Sequence, residues 1–336
     1  MSAASSGTAR TLRRVHIAGT GSFAPETRRT NADLEKLVVT NDAWITERTG
    51  IKERRVAPPE QTVSELAAEA SRRAMEAARV RPEDVDLIIC ATSSPERVVP
   101  PTSAYVQSRL GCWNAGFSDV LAACSGFVYA LSAGSAQVAI GTSRCALVLG
   151  TEVLSRILNM KDRNTCVIFG DGAGAAVLMP TDSDSDILYV KTGGDGRLEG
   201  LIIAPNYGSS QTSLGAYDPV HNTIQMKGRE VYRFAVPKFV EMITEALAAC
   251  RLRREDVKLL IPHQMNARMI EAVASRLEFP LERVLINIDR YGNTSSASIP
   301  IALDEAVRAE RLRRGDIVVM AAMGAGLTWG TVVLKW

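Results

Sequence analysis

Asp119-Val-Leu-Ala-Ala-Cys124-Ser-Gly-Phe-Val-Tyr-Ala-Leu131 decides how the rest of the chain is read. It reads as a short buried strand, Ser118 to Leu121, turning directly into a long apolar helix that starts at about Cys124. No residue from Val120 to Ser143 is charged. Small residues recur on every face, and a helix that is apolar all round is packed on all sides. A thiol in the first turn of such a helix sits at the positive end of the helix dipole, where thiolate is favoured. Cys124 is therefore a candidate nucleophile of lowered pKa. The competing reading is a buried, inert thiol, the commoner fate of cysteine in an apolar segment.

Outward from that stretch, the composition is ordinary. Of 336 residues, 46% are hydrophobic and 23% charged, enough for two domains or one large duplicated one. The net charge of +2 (39 basic against 37 acidic) marks out neither nucleic acid nor a membrane as a bulk partner. Met1 to Arg14 is small, polar and basic, and reads as a disordered tail, not a signal peptide. Val120–Ser143 and Ile317–Leu334 are uncharged but interrupted by Gly and Ser/Thr, so both read as buried core. The six cysteines (90, 112, 124, 145, 166, 250) show no C-x-x-C spacing and no His clustering. A disulfide framework or a metal site is not expected, and a reducing cytoplasm fits.

Val15-His-Ile-Ala-Gly19-Thr-Gly21-Ser-Phe-Ala24 has the outline of a dinucleotide fingerprint, but Pro25 and a polar run displace the helix that must start at the glycines. Helices are expected from near Asn31, over Asp42–Arg48, Thr62–Ala78 and Thr102–Leu110, with strands at Val85–Ala91 and Ala146–Gly150. Cys166–Leu178 looks like two strands joined through a glycine turn. From Thr181 to about Lys227 the pattern weakens into an irregular excursion. Beyond it come helix Val231–Cys250, strand Val257–Ile261, helix Ala267–Leu277, strand Val284–Asn287, helix Ser295–Ala309 and strand Ile317–Ala322.

The chain also repeats itself. Arg81-Pro-Glu-Asp-Val-Asp-Leu-Ile-Ile resembles Arg253-Arg-Glu-Asp-Val-Lys-Leu-Leu-Ile, an offset of 253 − 81 = 172. The same offset lays Cys124-Ser-Gly on Ser296-Ala-Ser and Ala91 on His263. Nearby offsets pair Val106-Gln-Ser-Arg-Leu with Val273-Ala-Ser-Arg-Leu, and Ala146-Leu-Val-Leu-Gly with Ile317-Val-Val-Met-Ala. Duplicated βα halves follow, about 15–180 and 181–336, whose buried helices would meet face to face. Only the first half keeps the cysteine. His263 falls just past a strand end and Asn293 just before the second buried helix. Sites gather at such positions in α/β folds, although core packing and capping explain each residue singly as well.

These residues resemble a known family. Thr30-Asn-Ala-Asp-Leu-Glu-Lys, Trp44-Ile with Arg48-Thr-Gly-Ile, Ala122-Ala-Cys124-Ser-Gly-Phe, Phe169-Gly-Asp-Gly-Ala-Gly, His263-Gln-x-Asn266, Gly292-Asn293-Thr and Leu327-Thr-Trp-Gly are similar to motifs of β-ketoacyl-acyl carrier protein synthase III, of the thiolase superfamily. The resemblance runs from about Val15 to Trp336. It implies a duplicated five-layered αβαβα fold, a homodimer, and no cofactor beyond the CoA thioester used as substrate. It implies that Cys124 takes an acyl group from acyl-CoA. Malonyl-acyl carrier protein then loses CO₂, its enolate held by His263 and Asn293, and attacks the acyl thioester. By the same resemblance the Cys124 amide and Gly324-Ala325-Gly326 hold the acyl oxyanion. Trp44, Arg48, Arg163 and Asn266 match CoA contacts, and Arg268 a contact to the carrier protein.

Two departures stand out. Many members read Phe-Gly-Gly-Gly where this chain has Met323-Gly-Ala-Gly326. Where some place a Phe that shortens the acyl pocket from across the dimer, this chain has Val99, which suits longer or branched acyl groups. The alternatives are a specialised condensing enzyme or acyltransferase of secondary metabolism, and a non-catalytic scaffold of the same fold. A scaffold would be expected to lose Cys124, His263 or Asn293. A thiolase would need a second cysteine in the glycine-rich end, and the last is Cys250.

Overall fold

The computed structural model describes residues 12–204 and 222–336. Its principal elements are β1 (Val15–Phe23), α1 (Asp42–Thr49), α2 (Val63–Ala78), β2 (Leu87–Ala91), α3 (Thr102–Leu110), β3 (Gly116–Val120), α4 (Gly126–Ile140), β4 (Ala146–Val153) and β5 (Asp171–Pro180). The second series is β6 (Asp186–Gly194), α5 (Gly228–Ala249), β7 (Val257–Pro262), α6 (Ala267–Arg276), α7 (Ser298–Arg308), β8 (Ile317–Gly324) and β9 (Thr328–Lys335).

Two sheets result, in the orders β1-β5-β4-β2-β3 and β7-β8-β9-β6. In the first sheet β2 runs parallel to both β3 and β4, in the second β7 runs parallel to β8, and the remaining pairs are antiparallel. The odd–even alternation of their strands explains the layering. Leu87, Ile89 and Ala91 face the two central helices, together with Phe127 and Leu131 of α4 and Ile299 and Leu303 of α7. Ile88 and Cys90 face outward onto α2 and α3. In the second sheet Ile261, Val318 and Met320 join the central layer, while Leu260 and Val319 face α5 and α6. Helices, sheet, helices, sheet, helices: this is a five-layered αβαβα fold with α4 and α7 at its centre.

The duplication is visible residue by residue. Arg79 and Arg251 both have φ +56°, and Ala123 and Ser295 have φ +46° and +47°. The Arg81–Asp84 and Arg253–Asp256 capping boxes are copies of each other. Ile89 pairs with Val148, and Ile261 with Met320. That register makes Ala146 equivalent to Val318, one residue away from the match read in the sequence.

Four expectations need correction. β3 is not buried: Gly116, Phe117 and Ser118 are exposed, because it is an edge strand. Cys166–Leu178 is not a pair of strands; Asp171–Pro180 is one continuous strand. Its glycines admit α7, since a Cβ on Gly174 would stand 2.7 Å from Pro300 and Ile301 backbone. Asp186–Gly194 is a regular strand inside the supposed irregular excursion, of which 205–221 lie outside the described residues. Val284–Asn287 makes only an isolated bridge, Leu260 to Val284. Of the amino-terminal tail, residues 1–11 lie outside the described residues. Arg13 already donates its amide to the Ala139 carbonyl at 2.9 Å.

Candidate active site

Cys124 does not sit in the helix proper but in a 3-10 turn, Ala123–Ser125, just before α4. Left-handed backbone at a non-glycine residue, here Ala123, is the kind of strain that clusters at sites. The turn is bolted to β9, since Thr328 donates its hydroxyl to the Ala122 carbonyl at 3.0 Å and meets the Ser125 hydroxyl at 2.8 Å. Gly324, at the end of β8, lies against the same turn. A Cβ there would stand 2.6 Å from the Ala122 oxygen and 2.7 Å from the Cys124 nitrogen, so only glycine lets the two backbones meet.

His263 follows β7 and extends its ladder by donating its amide to the Ala321 carbonyl at 2.8 Å. It is 2% exposed, with Nδ1 2.6 Å from the Ser298 hydroxyl, so Nε2 is the nitrogen left for the cavity. Asn293 precedes the second turn and is clamped by two backbone hydrogen bonds, to the Ile168 carbonyl and from the Gly170 amide. Its Oδ1 accepts the Ser295 amide at 2.8 Å, which assigns Nδ2 as the donor left over.

These three side chains line one cavity of about 500 Å³. Its walls are mainly apolar, with Leu154, Ile157, Phe169 and Ile224 near one end. Exposed Arg48 and Asn164 mark its opening. Burial dominates the electrostatics. It pushes the Cys124 thiol up to about 12, against a smaller lowering by the Ser295 hydroxyl. This reverses the expectation of a lowered thiol: desolvation of the charged form outweighs the dipole of a helix whose first turn the cysteine precedes. Burial also holds His263 down at about 3, a neutral imidazole. The resting site is uncharged: a thiol, an imidazole and a carboxamide.

Met323, Gly324 and Ala325 line the cavity, whereas Gly326 (φ +129°) does not. Asn266 lines it near the opening, caps α6, and donates Nδ2 to the Arg48 carbonyl at 2.7 Å. Trp44 lies outside the cavity, with the Arg48 and Arg163 guanidinium groups 4.8 and 5.0 Å from its ring centre. Arg268 is exposed on the first turn of α6. Val99 is 78% exposed and reaches no part of the cavity in the single chain.

Two residues that sequence reasoning passed over complete the picture. Glu152 is fully buried and accepts the Ser93 amide (3.0 Å), the Ser94 hydroxyl (2.6 Å) and the Ser296 hydroxyl (2.8 Å). By the register of the two sheets it occupies the place of Gly324. Ser296 likewise occupies the place of Cys124, and Ala91 that of His263. The second copy of the site is thus filled by a hydrogen-bonded carboxylate, leaving one working cavity. Its signal was a lone acid in an otherwise uncharged strand. Ser298 was signalled only by the run Thr294-Ser-Ser-Ala-Ser298.

A thiol between two halves of a five-layered αβαβα fold, facing two uncharged donors across an apolar cavity, defines the class: a condensing enzyme of the thiolase fold. The signature of 3-oxoacyl-[acyl-carrier-protein (ACP)] synthase III matches residues 118–196, and that of its C-terminal part residues 247–336. The β-ketoacyl-[acyl-carrier-protein] synthase III of Caldanaerobacter subterraneus subsp. tengcongensis is 50% identical over 95% of this chain and 97% of that one. The synthase III of Desulfitobacterium hafniense is 48% identical over 96% and 98%. The crystal structure of the Aquifex aeolicus synthase III superposes with a TM-score of 0.90 at 44% identity, covering 96% of this chain and 100% of that one. The chain belongs to the 3-oxoacyl-[acyl-carrier-protein] synthase III family.

Proposed function

We infer that this chain starts fatty-acid synthesis by condensing an acyl-CoA with malonyl-acyl carrier protein. The Cys124 sulfur attacks the acyl carbonyl, and the departing CoA sulfur takes up the thiol's proton, so no charge is left on His263. Covalent capture splits one difficult condensation into two easier steps. In the second, the malonyl C–C bond breaks and CO₂ leaves. The enolate carbon then attacks the Cys124-bound carbonyl, the carbonyl–sulfur bond breaks, and the departing sulfur takes up one proton from solvent to regenerate the thiol. The developing enolate oxygen takes hydrogen bonds from His263 and Asn293; losing one such donor costs on the order of 3 kcal/mol in barrier. The Cys124 amide and the Met323-Gly324-Ala325-Gly326 segment serve the acyl oxyanion.

The observation that carries this reading is the meeting of Cys124, His263 and Asn293, from opposite halves, on one apolar cavity. Trp44, Arg48, Arg163 and Asn266 cluster near its opening, which suits the nucleotide and pantetheine of CoA. Exposed Arg268 suits an acidic carrier protein by electrostatic docking. The halves 15–180 and 181–336 divide the work, one carrying the nucleophile and the other the donors. The enzyme works as a cytoplasmic homodimer without cofactor or metal, and the partner's Val99 region closes the acyl end of the cavity.

Intact-protein mass spectrometry tests the chemistry. Acyl-CoA should add one acyl group to the wild-type chain and none to Cys124→Ala. Malonyl-carrier protein should then remove it with CO₂ release. Loading of Cys124→Ala, or passage of the acyl group onward without CO₂, sinks the reading.

A further inference from the structure

Behind His263 stands a second buried group with a definite hydrogen-bond problem. Ser298 opens α7, is 2% exposed, and holds its hydroxyl oxygen 2.6 Å from Nδ1 of His263. The same oxygen accepts the Gln264 amide at 3.4 Å. That amide is itself fixed. The Gln264 side chain donates to the carbonyls of Pro262 and Leu285, and accepts the Asn287 amide.

Protons can be placed here in two ways. If Nδ1 carries the ring proton, it donates to Ser298, and the Ser298 O–H is left with no acceptor among the described residues. If Ser298 donates to Nδ1, both donors packed behind the ring find a partner, the Gln264 amide giving to the serine oxygen and the serine to Nδ1. The ring's own N–H is then Nε2–H, which faces the cavity and stays free for substrate. Leaving a buried hydroxyl without an acceptor is unfavourable, which favours the second arrangement at least severalfold. Burial keeps the ring neutral, so the tautomer is the only variable left.

We propose that Ser298 is a positioning residue that holds His263 as the Nε2–H tautomer, making the ring a hydrogen-bond donor and not a base. The proposal rests on the condensing reading for its consequence. During decarboxylation the electron pair of the broken C–C bond moves onto the malonyl thioester oxygen, which receives Nε2–H without proton transfer. The opposite tautomer would aim a lone pair at that same oxygen.

The test combines a spectroscopic and a kinetic measurement. In ¹⁵N-histidine-labelled protein the chain has three histidines, of which His263 is assigned by its loss in His263→Gln. The wild type should show Nε2 protonated and Nδ1 bare. Ser298→Ala should lose that bias, and its CO₂ release should fall roughly tenfold to hundredfold relative to Cys124 acylation in the same variant. Ser298→Thr, which keeps the hydroxyl, should restore both. A proton on Nδ1 in the wild type, or undiminished CO₂ release in Ser298→Ala with the tautomer unchanged, overturns the proposal. Absence of CO₂ release from acylated wild type would instead overturn the condensing reading, leaving the tautomer to be decided by the spectrum alone.

Discussion

Cys124 and His263 are both held uncharged by burial, and that has two measurable results. With the thiol up at about 12, alkylation of the free enzyme by iodoacetamide should keep climbing with pH through about pH 9, showing no plateau at an ordinary thiol pKa of about 8.5. A plateau below about pH 8 means that the helix dipole wins after all. His263 sits at about 3, against 6.5 when unburied. Between those values the unfolded chain binds a proton that the folded chain refuses, so stability falls as pH falls through that window. The contribution approaches about 1.4 kcal/mol per pH unit. Denaturant midpoints at about pH 5 and about pH 7 should converge in His263→Gln compared with wild type. Equal slopes in the two proteins would mean that the imidazole is already charged in the native state. Strand ends and helix starts in the sequence mark where the three central side chains stand, and the family resemblance, not their position, singles them out. Their charge states cannot be read there, since desolvation depends on what Gly324, Ser295 and the opposite half bring up against them.

At the scale of elements, the close contacts between the halves fall on glycines. Gly150, inside β4, faces the turn before α7: a Cβ would stand 2.2 Å from the Ser296 oxygen. Gly150→Ala should therefore push the Ser295–Ala297 turn off the sheet and cost about 3 kcal/mol or more, since backbone cannot give way as a side chain tip can. Thermal melting reads the loss, and a variant as stable as wild type would show that the turn moves freely. The same rule explains what the sequence concealed. Gly170, Gly172 and Gly174 resemble turn residues and so read as a break between two strands, when Gly172 and Gly174 admit α7 and Gly170 admits the Tyr291 carbonyl. β6 went unread because Asp, Ser and Gly surround it, although its pairing with β9 is regular over most of its length. The long helices and most apolar strands are legible, since their periods survive any neighbour; Val284–Asn287 is the exception, an apolar run that makes only one bridge. Glu152 is not legible in the sequence because its donors come from Thr92–Ser94 and Ser296, segments far apart along the chain. Glu152→Ala would strand the Ser93 amide and the Ser94 hydroxyl, each costing about 1–3 kcal/mol, while Ser296 keeps the Ala91 carbonyl as acceptor. It should lower the melting temperature more than Ser94→Ala does; equal losses would mean that the Ser93 amide finds water.

For the whole molecule, the repeat in the sequence carried the architecture, down to matched left-handed residues 172 positions apart. What the repeat does not supply is a partner for the first sheet's free edge. β3 pairs only with β2, and Trp113, Phe117 and Leu121, in and beside it, are 70%, 42% and 80% exposed. Val98 and Val99, at 66% and 78%, adjoin them, because Asp119 of β3 caps α3 through the Thr102 and Ser103 amides. An unpaired edge flanked by large apolar side chains invites pairing with another chain. A second copy meeting it across a two-fold axis would cover both at once. That arrangement would also carry Val99 toward the partner's cavity, giving a residue remote from the site a part in choosing acyl groups. Sedimentation should find the wild type at about twice the chain mass of 36.3 kDa, and Leu121→Arg at the single mass. Wild type should turn over isobutyryl- and octanoyl-CoA beside acetyl-CoA, and Val99→Phe should narrow it toward acetyl-CoA. A wild-type monomer, or a Leu121→Arg variant that stays paired, would refute the edge-to-edge dimer. Unchanged chain-length preference in Val99→Phe would detach Val99 from the acyl pocket even if the dimer stands.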